Sequence, residues 1–345
     1  MKKTQITINT FLGFSIFWAL TGAIWAADCG VIGTKIPCSC GDTLVTSTTL
    51  VSPTADPVNG DPVVSTNDND ICPGDGLIIN TPTVNLNLGG NAIRGSGLSV
   101  GTGIKIDGVN VDRIAVRNGV VRGFETGIGT TAGSSTNRST IRKITAVSNS
   151  FIGISLAGNN NTVDTTEALT NGDTGVNVVG DGATLLFIRS SQNGNHGIDV
   201  IGDGAVLRSS QVNRNIGNGM QVVGDNSLLD HNLSTKNFDG IVIVGDGDGN
   251  PATVELLKNK AADNEGHGIS VTGNNHDIVG NQGNTNGEDG IAVTGTGNHL
   301  DTNVVRENKG DGLIVTGGGN FDDGGNIAKK NGGVQCEIDG QACSL

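Results

Sequence analysis

The sequence predicts an all-β fold, a single solenoid of parallel β-strands with about ten coils. Three observations predict it. A Gly-Ile-x-Val-x-Gly unit recurs from Gly153, Gly175, Gly197, Gly219, Gly240, Gly268, Gly290 and Gly312, mostly 22 residues apart, with a second Gly five residues after each first one. In seven of the eight copies an Asn stands four residues before the first Gly, at Asn149, Asn171, Asn193, Asn215, Asn264, Asn286 and Asn308. Composition agrees: the 345 residues include 56 Gly and 7 Pro, 16% are charged, and the mature chain has no amphipathic run of helix length.

The first element is a leader. Lys2 and Lys3, the apolar run Phe11 to Trp25 and the small residues Ala26 and Ala27 read as a secretory signal cleaved after Ala26, so residues 1–26 are set apart. Asp28 before Cys29 argues against a lipoprotein signal, and no second membrane segment follows. Export places the six cysteines in an oxidising compartment. Cys29, Cys38, Cys40 and Cys72 precede the coils, Cys336 and Cys343 follow them, and none lies within the repeats. The expectation is therefore disulfide-stapled caps at both open ends, over 27–83 and 332–345, with Cys336 paired to Cys343 and three pairings open for the first four. Zinc is the alternative, but Cys38-x-Cys40 has the wrong spacing and no His is near.

Residues 84–331 form the coils. From Gly197 onward, Ile198 and Val200 alternate with Asp199, Gly202 breaks the strand, Leu207 turns inward again and Asn215 closes the turn. Val163, Leu185, Leu229, Ile278 and Leu300 hold the position of Leu207 and form one internal row. A 22-residue unit cannot bury its apolar residues alone, so copies stack at roughly 4.8 Å. The Asn and Gly positions are read as corners that need positive φ, with coil-to-coil hydrogen bonds between stacked Asn side chains.

The segments Cys40-Gly-Asp-Thr-Leu44, Cys72-Pro-Gly-Asp-Gly-Leu77 and Val84-Asn-Leu-Asn-Leu-Gly-Gly-Asn-Ala-Ile-Arg-Gly95, followed by Gly-Ile repeats, resemble secreted right-handed parallel β-helix proteins of the pectin-lyase-like superfamily. The resemblance covers almost the whole mature chain. It implies a right-handed coil and a secreted protein, and it transfers no reaction, because the superfamily holds lyases, hydrolases, epimerases and binders. Gly266-His267-Gly268 is similar to the Gly-His-Gly of polygalacturonases, without that family's acidic partners upstream.

Three sets of residues are site candidates. Asp239, His267, Asp289 and Asp311 precede successive repeat glycines, so they share a row in which neighbouring carboxylates would hinder each other's ionisation and divide acid and base roles. Asp181, Asp203, Asp225 and Asp246 make a second row. With Asp248 in the longer coil between Gly240 and Gly268, Asp225 and Asp246 give an oxygen-rich corner suited to Ca²⁺. Lys105, Arg113, Arg117, Arg122 and Arg142 form a basic stretch that could hold a uronate polymer, in a chain whose formal charge of −13 becomes −15 once Lys2 and Lys3 leave with the signal. That charge disfavours nucleic acid. Aromatic residues argue against sugar subsites: with no Tyr and both Trp in the leader, Phe124, Phe151, Phe187, Phe238 and Phe321 remain, and they could fill the interior or stack as a row. The resulting expectation is a secreted scaffold, of unspecified oligomeric state, that binds polysaccharide or another surface polymer through polar outer rows without chemistry. The alternative is a carbohydrate-active hydrolase, lyase or epimerase.

Overall fold

The computed structural model describes residues 38–50, 71–247 and 255–343, so the leader, Cys29 and Asp248 lie outside the described residues. Each regular coil carries three short parallel strands that stack on their counterparts one coil away. The first face holds the Gly-Ile-x-Val segments: Ile154–Ala157, Val176–Val179, Ile198–Ile201 and Met220–Val223 pair residue for residue, Ile198 beside both Val176 and Met220. The second face stacks Thr162–Asp164, Thr184–Leu186 and Val206–Arg208, and the third stacks Glu167–Leu169, Arg189–Ser191 and Gln211–Asn213. In two early coils a single strand, Ala115–Arg122 or Thr140–Val147, runs across both the second and third faces.

Alternation in each strand decides what is buried. Ile198 and Val200 are fully buried while Asp199 between them faces out, and the Leu207 row is buried along its whole length, with Leu256 filling the longer coil. The third face lines the interior with small residues, among them Ala168, Ser190, Val212, Ser234 and Ala261. The buried Ser190 and Ser234 hydroxyls donate to the carbonyls of Gly197 and Gly240 at 2.7 Å, so these polar groups are satisfied inside the coil.

The Asn row is a buried hydrogen-bond ladder running from Asn149 through Asn171, Asn193, Asn215, Asn237, Asn264, Asn286 and Asn308 to Asn331. Each Asn donates both its backbone N–H and its side-chain amide to the Oδ1 of the next, as from Asn193 to Asn215 at 3.0 and 2.8 Å. The expectation about backbone needs correction at this point. Positive φ falls one residue earlier, on Thr170 (52°), Gln192 (58°) and Arg214 (55°), residue types for which a left-handed backbone costs about 1 kcal/mol or more. The ladder bonds hold those corners. The repeat Gly has a steric role instead: a Cβ on Gly197 would stand 2.7 Å from both the Gly219 carbonyl and the Asn215 amide. Only the second Gly of the unit fits the positive-φ reading, with Gly180 at 139° and Gly202 at 146°.

Two more ladders occupy the remaining corners. Between second and third faces run Asn232, Asn259, Asn281, Asn303 and Asn326, and between first and second faces His276 donates to Asn298, which donates to Asn320. The latter ends on Asp339, whose carboxyl is held below the usual carboxylate range by the backbone and side-chain amides of Asn320 and by Gly318 N–H.

The disulfides Cys40–Cys72 and Cys336–Cys343 sit at the two ends, and Cys38 is also disulfide-bonded. The coils extend further than the 84–331 segment: Asp42–Leu44 pairs in parallel with Leu77–Ile79 and Cys336–Ile338 with Leu313–Val315, so strand stacking enters both predicted caps. The antiparallel strand Gln341–Ala342 then closes the first face.

Candidate functional site

The rim where the third face turns into the first carries a connected set of polar side chains. The residue two positions before each repeat Gly forms a continuous hydrogen-bonded row, Phe151, Asp173, Asn195, Gly217, Phe238, Gly266 and Glu288, each N–H donating to the carbonyl one coil before. Phe151 and Phe238 are 47% and 52% exposed and four coil steps apart, about 19 Å at the strand spacing. Between them lie His196 and Asn218 on the adjacent row and Asn177, Asp199 and Gln221 in register on the outer side of the first face.

These groups form a connected network. Asn218 N–H donates to His196 Nδ1 at 3.0 Å, the Asn218 amide donates to Gln221 Oε1 at 3.0 Å, and the Gln221 amide donates to Asp199 Oδ1 at 3.3 Å. Burial holds the Asp199 carboxyl above the usual carboxylate range. The His196 ring and the Gln221 hydrogen bond oppose that shift, and the Asp173 charge adds to it. Beside it, Asn177 Oδ1 is buried with no hydrogen-bond partner. An acceptor without a donor and a carboxyl biased toward its protonated form are the pair of features that polar ligand sites use. Spacing sets these residues in register, but the burial of Asp199 and the unpaired Asn177 acceptor come from side-chain packing that composition and spacing do not show.

The row Asp239, His267, Asp289 and Asp311 is brought together as the period implies, and its hydrogen bonds run along the solenoid. Asp239 Oδ1 accepts His267 N–H at 2.7 Å, His267 Nδ1 accepts Asp289 N–H at 3.3 Å, Asp289 Oδ1 accepts Asp311 N–H at 2.6 Å and Asp311 Oδ1 accepts Val334 N–H at 2.6 Å. His267 Nε2 lies 3.0 Å from Glu288. The second acidic row behaves alike, with Asp203 N–H bonded to Asp181, Asp225 N–H to Asp203 and Asp246 N–H to Asp225 at 2.8 to 3.1 Å. Backbone N–H groups therefore offset the repulsion expected between stacked carboxylates. Among the described residues no group of three or more His, Cys, Asp or Glu side chains converges as a metal site would require.

The basic stretch is dispersed. Lys105 lies on the first face, bridged to Asp75 at 3.1 Å; Arg117 and Arg142 share the second face, with Arg142 bound to Asp164 at 2.8 Å; Arg122 is on the third face and Arg113 at a corner. Of the two readings of the phenylalanines, the interior one holds for Phe124 alone, while Phe151, Phe187, Phe238 and Phe321 are exposed. Phe321 stacks on His299 with centroids 4.5 Å apart.

No family model and no curated protein matches the sequence. Solved structures match the fold. A double mutant of the periplasmic alginate epimerase AlgG superposes with a TM-score of 0.52 at 14% identity, covering 76% of this chain and 74% of that one. The mannuronan C-5 epimerase AlgE4 A-module of Azotobacter vinelandii superposes with 0.51 at 12% identity, covering 88% of each. At such identity the likeness is one of architecture. By fold, the chain is a single all-β solenoid of about ten parallel-stranded turns, an architecture it shares with these epimerases.

Proposed function

We propose that this protein is exported and binds a polysaccharide lying along the solenoid axis on the first-face rim. The observation that carries the reading is the pair of exposed rings, Phe151 and Phe238, at either end of the Asp173, His196, Asp199, Asn218 and Gln221 cluster. Sugar rings combine apolar faces with hydroxyl edges, which suits aromatic platforms alternating with hydrogen-bonding side chains. The likeness to epimerases of alginate and mannuronan supports a polymer of this class. Disulfides at both ends are compatible with an oxidising compartment. Ca²⁺ at Asp225, Asp246 and Asp248 is part of the proposal, and binding is to be measured with Ca²⁺ and with chelator.

Phe238→Ala is expected to weaken polymer binding by about 1 to 2 kcal/mol, roughly 5- to 30-fold in Kd, with thermal stability unchanged because the ring is outside the core. Affinity electrophoresis over a panel of neutral and uronate polysaccharides measures this. Unaltered retention of the variant would place binding elsewhere.

One observation favours a catalytic reading: Asp199 is the described carboxyl that burial pushes up, three residues from His196. A carboxyl that burial holds in its acid form to higher pH than a free Asp can serve as a general acid, and loss of a general acid costs about 10²- to 10⁴-fold. If the wild type releases reducing ends or unsaturated products, or changes uronate stereochemistry, Asp199→Asn is expected to lower kcat by at least about 100-fold. The acid form persists to higher pH than in a free Asp and is lost as pH rises through the raised pKa, so activity should fall on that limb. No turnover by the wild type on any polymer dismisses catalysis and leaves binding intact.

A further inference from the structure

We propose a protein-docking surface on the first face, along which a basic amphipathic helix of a partner protein lies parallel to the solenoid axis. The last outward position of four consecutive first-face strands is apolar: Val179, Ile201, Val223 and Val244 stand in register, one per coil. Val179, Ile201 and Val244 are 42 to 43% exposed, and contiguous exposed apolar surface of this kind marks an interface. The same row is Ala157 one coil earlier and Thr272, Thr294 and Thr316 in the coils that follow. Two residues beyond it, across the corner Gly, runs the exposed acidic row Asp181, Asp203, Asp225 and Asp246. That row gives way to Asn in the same flanking coils, at Asn159 and Asn274. Apolar and acidic character therefore begin and end together. The fold requires neither, because the Ala157/Asn159 and Thr272/Asn274 coils stack in the same register without them.

Charge indicates what covers this surface. Each of the four carboxylates uses Oδ1 to accept an N–H from the next coil, and its Oδ2 makes no hydrogen bond or ion pair with a described residue. No Lys or Arg occurs in the strand-and-turn segments 176–182, 198–204, 220–226 and 241–247. A complementary partner brings apolar side chains with cations along one flank. A second copy of this chain does not, since each carries a formal charge of −13. Spacing then selects the partner's conformation. The four strands are paired on both sides, so an added strand finds no free backbone edge. Four side chains at about 4.8 Å span about 14 Å. A helix laid along them repeats once per turn of about 5.4 Å and drifts by about 2 Å over that span, whereas one side of a strand repeats at about 6.8 Å and drifts by about 6 Å. About ten helical residues cover the row. The surface lies at the other end of the first-face strands from His196 and Asn218, so it does not rest on the polysaccharide reading. It shares Asp225 and Asp246 with the proposed Ca²⁺ corner, and binding is therefore measured in chelator.

The test is fluorescence anisotropy of purified protein with three labelled peptides of about 18 residues, long enough to sustain a helix. One carries Leu on one helical face and Lys along its flank, one is a scramble of the same composition, and one is the first with Glu in place of Lys. Ile201→Thr with Val244→Thr, and Asp203→Asn with Asp225→Asn, install residues that the same rows carry in other coils, so both variants should keep the wild-type melting temperature. The expected result is that the wild type binds the Leu/Lys peptide at least tenfold tighter than the scramble or the Glu peptide, with a gain of helical circular dichroism. Each double variant should weaken that binding at least fivefold, and the Asn variant should also flatten its salt dependence. Glu125→Gln with Glu307→Gln removes the same charge from exposed positions in other coils and should change binding less than twofold. Equal affinity for the scramble, binding without added helix, equal weakening by the Gln variant, or no binding by the wild type would overturn the proposal. The peptide comparison on the wild type decides the matter even where a variant melts early. Sedimentation that finds a wild-type dimer, lost in Ile201→Thr with Val244→Thr, would assign the surface to a second copy and also overturn it.

Discussion

Replacing His276 with alanine is expected to destabilise the coils around it by about 3 to 5 kcal/mol, more than any truncation on the exposed rim. His276 and Glu255 are both buried, with side chains 3% and 6% exposed, and His276 Nδ1 lies 2.8 Å from Glu255 Oε2. The other ring nitrogen, Nε2, lies 2.7 Å from the Gly245 carbonyl, which can only accept, so Nε2 carries a proton. Removing the ring leaves a buried carboxylate without its imidazole and a backbone carbonyl without its donor, and both costs apply at once. Replacing both partners with apolar residues should recover much of the loss, because burying a hydrogen-bonded polar pair costs solvation that an apolar pair does not. Hydrogen exchange across Ile269–Thr272, one coil from the Gly245 strand, is the sensitive readout. A loss below about 1 kcal/mol in the single variant would show that the pair is not structural.

The second large effect is expected at the central ladder. Asn193 is 1% exposed, accepts the N–H and side-chain amide of Asn171 at 3.0 Å each, and donates to Asn215 and to Ser190 at 2.8 and 2.9 Å. Asn193→Ala leaves the buried Asn171 N–H without an acceptor and opens space in a close-packed corner, for about 2 to 4 kcal/mol. The neighbouring left-handed residue, Gln192, also loses the contact that holds its corner. The effect should be local, since each coil touches only its neighbours. Exchange of the Asn171 amide should accelerate strongly while amides near Leu313 keep their protection. Unchanged protection at Asn171 would mean that strand pairing alone holds the corner.

The candidate site was only partly legible in the sequence. The acidic row containing His267 follows directly from counting back from each repeat Gly, and the structure does place those four residues together. The period places Gln221 beside Asp199 and Asn218 beside His196, but it does not show that burial raises the Asp199 carboxyl or leaves the Asn177 Oδ1 without a donor, because those depend on side-chain packing. The basic stretch misled for the opposite reason. Residues close in sequence pass two corners within a coil, so Lys105, Arg117 and Arg122 end on three different faces.

The period by itself determined the stacking, the strand character, the inner rows of Ile198, Val200 and Leu207, and the central Asn ladder, because any residue repeated at the coil length must meet its own copy one coil away. Tertiary structure alone decided the direction of side chains at corners. Phe151 and Phe238 turn outward at the rim, Phe187 leaves the coil at a left-handed residue (φ 55°), and positive φ falls on Thr170 and Gln192 rather than on the Asn that follows each. Corner conformation is set by which hydrogen bonds the neighbouring coil can supply, and that partner exists only once the chain has wound.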